Sequence, residues 1–260
     1  MGKIEAVIFD WAGTTVDYGC FAPVQAFVEV FCHFGVEPTT EEVREPMGML
    51  KRDHIKTMLQ MERIHDLWVE KYKREADEAD IDKMYGMFEE KLMGILDRFT
   101  EPKPYVLEAV AELRGMGIKI GSTTGYTDEM MKIVTEGAKE AGYEPDAWFS
   151  PNAVGDAGRP YPYMIFKNME VLGISSTANV IKVGDTVSDI KEGKNAGVLS
   201  VGVIEGSSEM ALSEEEYRSL SDQEREARIE KVRETFKNAG ADYVIRNMGE
   251  LTSLVKEIEK

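Results

Sequence analysis

Cysteine is scarce in these 260 residues: Cys20 and Cys32 are the only two. They form no C-x-x-C pair, which argues against a zinc cluster or a disulfide framework and fits reduced thiols in a cytoplasmic protein. Long hydrophobic runs are missing as well. No stretch approaches the roughly 20 apolar residues of a membrane span, and the opening MGKIEAVIFD enters a strand pattern at once, without the apolar core of a secretory signal. Positive charge is in deficit. Lys and Arg number 31 against 48 Asp and Glu, a net charge of −17. Such a surface disfavours nucleic-acid phosphates and anionic membranes as general partners. An anionic substrate would need a metal or local positive charge. The composition, 43% hydrophobic and 30% charged, is that of an ordinary globular protein. The length suffices for one sizeable core with a smaller domain appended.

Short apolar runs recur at 5–9, 118–123, 147–150, 179–184, 199–204 and 242–245. Helix-length segments at 105–117, 128–142, 161–173 and 187–197 lie between most of them. This alternation predicts an α/β fold with a Rossmann-like, doubly wound parallel sheet. Ligands in such sheets bind at the carboxyl ends of the strands. Asp10, Ser122–Thr124, Ser150 and Gly184–Asp185 all fall there.

Residues 18–99 break the rhythm, with helical patterns and no convincing strand. They read as an α-helical cap domain inserted after the first strand, leaving 1–17 and 100–260 as the α/β core. TEPKP (100–104) reads as the returning linker. The charged stretch 207–241 reads as a solvated helical excursion.

Four pieces carry chemistry. Asp10 ends a strand and is followed by the small-residue turn AGTT. KVGDTVSDIKEG runs a strand into Gly184–Asp185, and Asp189 follows four residues on, so both carboxylates can face one way at a helix start. Carboxylates from two strand ends suit Mg²⁺, which takes one or two of them together with phosphate oxygens and water. GSTTGYT (121–127) turns a strand into a helix with hydroxyls and free N–H groups placed to cradle a phosphate. In GRPYP (158–162), Arg159 precedes Pro160, which the pattern predicts as the first residue of a helix. A guanidinium there suits a tetrahedral oxyanion.

Together these motifs resemble the haloacid dehalogenase superfamily of phosphotransferases. The resemblance implies that Asp10 attacks phosphorus to give an aspartyl phosphate. It also implies Mg²⁺ held by Asp10, Asp185 and the backbone carbonyl of Ala12, with Asp189 as a supporting carboxylate. Ala12 then poses a question, because phosphatases and mutases of this superfamily usually carry Asp two residues after the nucleophile, to protonate a departing alkoxide. Alanine does not do this. A carbon leaving group needs another device, and a lysine Schiff base is one. In REPMGMLKRDHIKTM (44–58), Lys51 follows an apolar Pro-Met-Gly-Met run and precedes His54 by one turn. An amine in an apolar pocket loses proton affinity. His54 reads equally as a proton relay for imine formation or as a helix-surface histidine.

The set DWAGTTVDYGC, PMGMLKRDHI, STTGYT, GRPYP and KVGDTVSDIKEG closely resembles the phosphonoacetaldehyde hydrolase (phosphonatase) branch of that superfamily, over nearly the whole chain. The resemblance implies cleavage of the carbon–phosphorus bond of phosphonoacetaldehyde to acetaldehyde and phosphate, within 2-aminoethylphosphonate degradation. Lys51 would form the Schiff base. Thr124, Gly125 and Arg159 would hold the phosphonyl oxygens, and Met47, Cys20, Tyr126 and His54 fall at active-site positions. It also implies a homodimer. The apolar positions Phe27, Val30, Phe31 and Phe34 read either as cap core or as that subunit contact. Two rival functions stand beside this one. A magnesium-dependent phosphomonoesterase of the same superfamily predicts an acid at position 12 and no cap lysine. A non-catalytic binding protein predicts loss of the nucleophile or of the metal carboxylates.

Overall fold

The computed structural model describes residues 3–260. Six strands form one parallel sheet: β1 (Ala6–Phe9), β2 (Lys119–Thr123), β3 (Ala147–Phe149), β4 (Val180–Gly184), β5 (Leu199–Val203) and β6 (Tyr243–Ile245). Their spatial order is β3-β2-β1-β4-β5-β6, and every neighbouring pair runs parallel. The order reverses direction at β1, between β2 and β4. That switch point opens a crevice at the carboxyl ends, which is where Asp10 emerges. β1 and β4 are buried along their whole length, as expected of strands covered on both faces.

Five helices follow β1 before the chain returns to the sheet layers: α1 (Phe21–His33), α2 (Thr40–Arg44), α3 (Lys51–Gln60), α4 (Glu62–Tyr72) and α5 (Glu78–Met93). Apolar spacing and capping explain them. Thr39 and Asp77 each form a reciprocal capping box at the starts of α2 and α5. Asp17 accepts the backbone N–H groups of Phe21 and Ala22 at 2.9 and 3.1 Å, which satisfies two orphan donors at the start of α1. Phe27 stacks on Phe88 of α5 at 4.1 Å between centroids. Phe27, Val30, Phe31 and Phe34 are all buried within this chain. Of the two readings of that stripe, burial within this chain supports helical core.

The remaining helices flank the sheet: α6 (Val106–Gly115), α7 (Asp128–Glu140), α8 (Tyr163–Leu172), α9 (Val187–Ala196), α10 (Glu214–Ser219), α11 (Asp222–Asn238) and α12 (Leu251–Ile258). The reading of 207–241 as a solvated excursion is corrected. Tyr217, Ile229, Val232 and Phe236 are buried in an apolar cluster with Ile190 and Ile204. A Cβ on Gly202 of β5 would stand 2.5 Å from the Phe236 ring, so α11 is a covering layer of the sheet. Its charged composition hid a narrow apolar seam. A second correction concerns Pro160: α8 begins at Tyr163 with Pro162 as its N-cap, and Arg159–Pro160 is a cis bond in the preceding loop.

Candidate active site

Asp10 leaves the buried end of β1, where its N–H donates to Val183 O at 2.9 Å. The chain then folds into a tight loop in which the N–H groups of Thr14, Thr15 and Val16 all donate to the carbonyl of Trp11. Gly13 makes this turn possible. Its φ is +86°, and a Cβ there would stand 2.1 Å from Asp185 Oδ2. The Gly13 N–H donates to Val16 O at 2.8 Å. In a trans peptide the preceding carbonyl faces the opposite way, so the Ala12 carbonyl is directed away from Val16.

Asp185 follows β4 and is fully buried. Its Oδ1 accepts the Thr14 hydroxyl at 2.9 Å and its Oδ2 accepts the Ser208 N–H at 2.7 Å. Asp189 sits in the first turn of α9, in a capping box with Thr186. One carboxylate oxygen from each of Asp10, Asp185 and Asp189 lies within 4.8 Å of the others. Burial first, then the charges of Asp10 and Asp189, raise the Asp185 pKa well above the carboxylate range. Crowded like charges of this kind are relieved by a divalent cation, and an all-oxygen donor set suits a hard one.

Asp189 itself is already compensated. Lys182 Nζ lies 2.9 Å and Arg159 Nη2 3.2 Å from its Oδ1. Burial pushes its pKa up, but these two cations outweigh burial and hold it below the usual value. Arg159 also donates to Asp10 Oδ1 at 2.6 Å, to Glu192 Oε2 at 2.9 Å and to Thr123 O at 3.0 Å. Its Nη1 makes no hydrogen bond among the described residues, and Arg159 lines the cavity beside Asp10. The guanidinium is therefore a clamp on three carboxylates.

The helices after β1 close the other side. Asp10, Ala12, Cys20, Met47, Lys51, Thr124, Gly125, Tyr126 and Arg159 line one cavity. His54 and the two other acidic residues, Asp185 and Asp189, do not line it. Thr124 Oγ1 accepts the Tyr126 N–H at 3.0 Å, which shapes the turn after β2. Lys51 is the first residue of α3 and is 6% exposed. Its Nζ lies 5.5 Å from the Tyr126 ring centroid, 6.0 Å from that of Phe27, and 4.0 Å from where a Cβ on Gly125 would stand. Burial lowers its pKa; the carboxylates of Asp10 and Asp185 oppose that without reversing it. Cys20 and Tyr126 are driven the other way, mainly by burial, and stay neutral.

His54 is fully buried, so its reading as a helix-surface histidine is overturned. Its ring stacks on Phe27 at 3.9 Å, and Nε2 faces Val43 O at 2.8 Å. A carbonyl only accepts, so Nε2 carries the proton and Nδ1 keeps a bare lone pair, which has no partner. Burial, then the Lys51 charge, pushes its pKa well below the usual value.

Sequence reasoning missed three charged members of this region. Lys182 interrupts the apolar run NVIKVG, and a lysine in a buried strand signals a buried counter-charge. Glu192 lies one turn beyond Asp189 on the same helix face and completes the Arg159–Lys182 network. Lys103 had no such signal, because its burial comes from loops that pack around a linker.

The sequence matches the haloacid dehalogenase-like hydrolase family over residues 4–197 and a related HAD-hydrolase-like family over 156–250. It is 54% identical to a phosphonoacetaldehyde hydrolase of Lysinibacillus sphaericus, over 99% of this chain and 96% of that one. It is 50% identical to a bifunctional phosphonoacetaldehyde hydrolase/aminoethylphosphonate transaminase of Clostridioides difficile, over 99% of this chain and 40% of that one. Among solved structures, a phosphonoacetaldehyde hydrolase-like protein from Oleispira antarctica superposes with a TM-score of 0.96 at 37% identity, covering 99% of this chain and 93% of that one. The chain belongs to the haloacid dehalogenase-like hydrolases and, within them, to the phosphonoacetaldehyde hydrolase family.

Proposed function

We propose that this protein hydrolyses the carbon–phosphorus bond of phosphonoacetaldehyde, giving acetaldehyde and phosphate. The observation that carries the reading is the pairing of Lys51 and Ala12 in one cavity with Asp10. Lys51 supplies a desolvated amine of lowered pKa. Ala12 leaves the position two residues after Asp10 without an acid, which weighs against a phosphomonoesterase. Retention of Asp10, Asp185 and Asp189 weighs against a non-catalytic binding protein.

The steps follow from these residues. The neutral Lys51 amine adds to the aldehyde carbon, and loss of water leaves a protonated imine. An Asp10 oxygen then bonds to phosphorus while the P–C bond breaks, and the freed electron pair moves through the new C=C bond to the imine nitrogen. The enamine is protonated at carbon and hydrolysed, which releases acetaldehyde and frees Lys51. Water cleaves the aspartyl phosphate. The Nη1 edge of Arg159, the Thr124 hydroxyl and the Gly125 backbone orient the phosphonyl oxygens. His54 Nδ1, a buried acceptor one turn from Lys51, would relay a proton onward during imine formation, since its lowered pKa keeps it from holding the charge. Met47, Cys20 and Tyr126 keep the cavity neutral, which favours the uncharged amine. Asp10, Asp185 and the Ala12 carbonyl would hold Mg²⁺, supported by Asp189. The bound ion would screen the repulsion between Asp10 and the anionic substrate.

Residues 18–99 act in this reading as the cap that excludes water, and 1–17 with 100–260 as the catalytic core. The fusion to an aminoethylphosphonate transaminase in the Clostridioides relative supports a place in 2-aminoethylphosphonate degradation. Two free cysteines support a reducing, cytoplasmic setting. Among the described residues no helix is long and apolar enough to cross a membrane. The homodimer rests on the resemblance alone, and sedimentation of the purified chain tests it. The chemistry is tested by borohydride reduction in the presence of substrate. A stable adduct on Lys51, located by peptide mass, is expected; an unmodified chain overturns the imine route.

A further inference from the structure

Lys103 is a buried cation that the steps above do not use. It lies in the linker that returns from the helical segment to the sheet. Its N–H donates to Thr15 O at 2.8 Å, and Pro102 beside it pairs with Val16. Its ammonium donates to two carbonyls, those of Gly13 and of Glu205, the latter at 2.8 Å. The Tyr18 ring centroid is 5.6 Å away. Gly206, at φ +68°, lets the loop after β5 close directly on this group. A Cβ there would stand 2.7 Å from Lys103 Cε and 2.9 Å from Nζ. Gly206 O in turn accepts the Gly19 N–H at 2.8 Å. One ammonium thus joins the Asp10 loop to the loop after β5, at the point where both linkers of the helical segment cross.

The Gly13 carbonyl is the contact that matters for chemistry. With its N–H on Val16 O and its C=O on Lys103, the Gly13 residue is held from both sides. That in turn fixes the neighbouring Ala12 carbonyl and the direction in which Asp10 leaves β1. Lys51 stands on α3, outside this arrangement.

We propose that Lys103 is a positioning residue for phosphoryl transfer: its ammonium locks the Gly13 peptide, and so the reach of Asp10, while leaving imine formation at Lys51 untouched. The proposal rests on the imine reading above. A displacement of about 1 Å in a reacting group is enough to cost on the order of 100-fold in rate.

Two rates measured on one protein test it. Lys103→Met keeps the aliphatic stem and removes the donors. Borohydride trapping of the substrate adduct at Lys51 should stay within about 2-fold of wild type, while acetaldehyde release falls about 10- to 100-fold. Lys103→Arg, which keeps the donors, should recover part of the loss. Gly206→Ala provides a second route should the methionine variant fold poorly, because its methyl displaces the ammonium without removing it; the same split is expected. Wild-type turnover in the methionine variant, or an equal fall in trapping and turnover, overturns the proposal. Absence of any adduct in wild type overturns the imine reading instead, and this proposal with it.

Discussion

Arg159 donates from Nη2 to Asp10 Oδ1 at 2.6 Å, and with the same guanidinium it reaches Asp189 and Glu192. Three buried carboxylates therefore share one cation that is 7% exposed. Removing one partner of such a network leaves uncompensated buried charge, which costs about 3–5 kcal/mol. Arg159→Met should lose that much in urea unfolding, beyond its loss of activity. A loss under about 1 kcal/mol would mean that Lys182 carries the compensation alone.

Gly13→Ala is the second prediction. The substitution puts a Cβ 2.1 Å from Asp185 Oδ2, at a φ of +86°. The left-handed backbone costs about 1–2 kcal/mol for alanine. The contact must also displace either Asp185 or the Asp10 loop. The variant should remain folded, bind Mg²⁺ more weakly by titration calorimetry, and turn over at least about 100-fold more slowly. Wild-type metal affinity would show that the loop and Asp185 move independently.

The Lys51 environment fixes a pH dependence. On the proposed imine route the reactive form is the neutral amine, and burial lowers the Lys51 pKa from its ordinary 10.5. Trapping at Lys51 should rise tenfold per pH unit on the acid side and level off below the ordinary lysine value of 10.5. A rise continuing through pH 10.5 would indicate an unperturbed lysine. The stability consequence has a definite sign. Between the lowered native value and 10.5 the unfolded chain binds more protons, so stability is gained as pH rises and lost as pH falls through the native value. Lys51→Met should consequently stabilise the fold at neutral pH, by on the order of 1 kcal/mol, while abolishing turnover.

Ala12→Asp tests why that position lacks an acid. Ala12 and Lys51 line the same cavity. A carboxylate there favours the ammonium form of Lys51. Acetaldehyde release should fall by at least about 10-fold at neutral pH and partly recover at higher pH, where the amine is again neutral. Full activity at pH 7 would remove this explanation for alanine.

The sheet was legible because its strands are short apolar runs separated by amphipathic helices, and all six are present in parallel order. The gathering of Asp10, Thr124, Arg159 and Asp185 was legible for the same reason, since strand ends converge at a switch point. Lys51 was singled out by the apolar run before it. What escaped the sequence was burial created by distant segments. The charged stretch 207–241 hides an apolar seam at Ile229, Val232 and Phe236 that only the β5–β6 surface defines. His54 carries no local mark of being stacked beneath Phe27. Lys103 sits in a linker whose partners, Gly13 and Glu205, are about 100 residues away on either side.

The central claim is carbon–phosphorus cleavage through Lys51, and acetaldehyde release tests it most directly. Wild type and Lys51→Arg would be compared on phosphonoacetaldehyde with Mg²⁺, with circular dichroism confirming that both are folded. Turnover by wild type, abolished in the arginine variant because a guanidinium forms no imine, is the expected result. Acetaldehyde released at a wild-type rate by Lys51→Arg, or none released by folded wild type, would contradict the account.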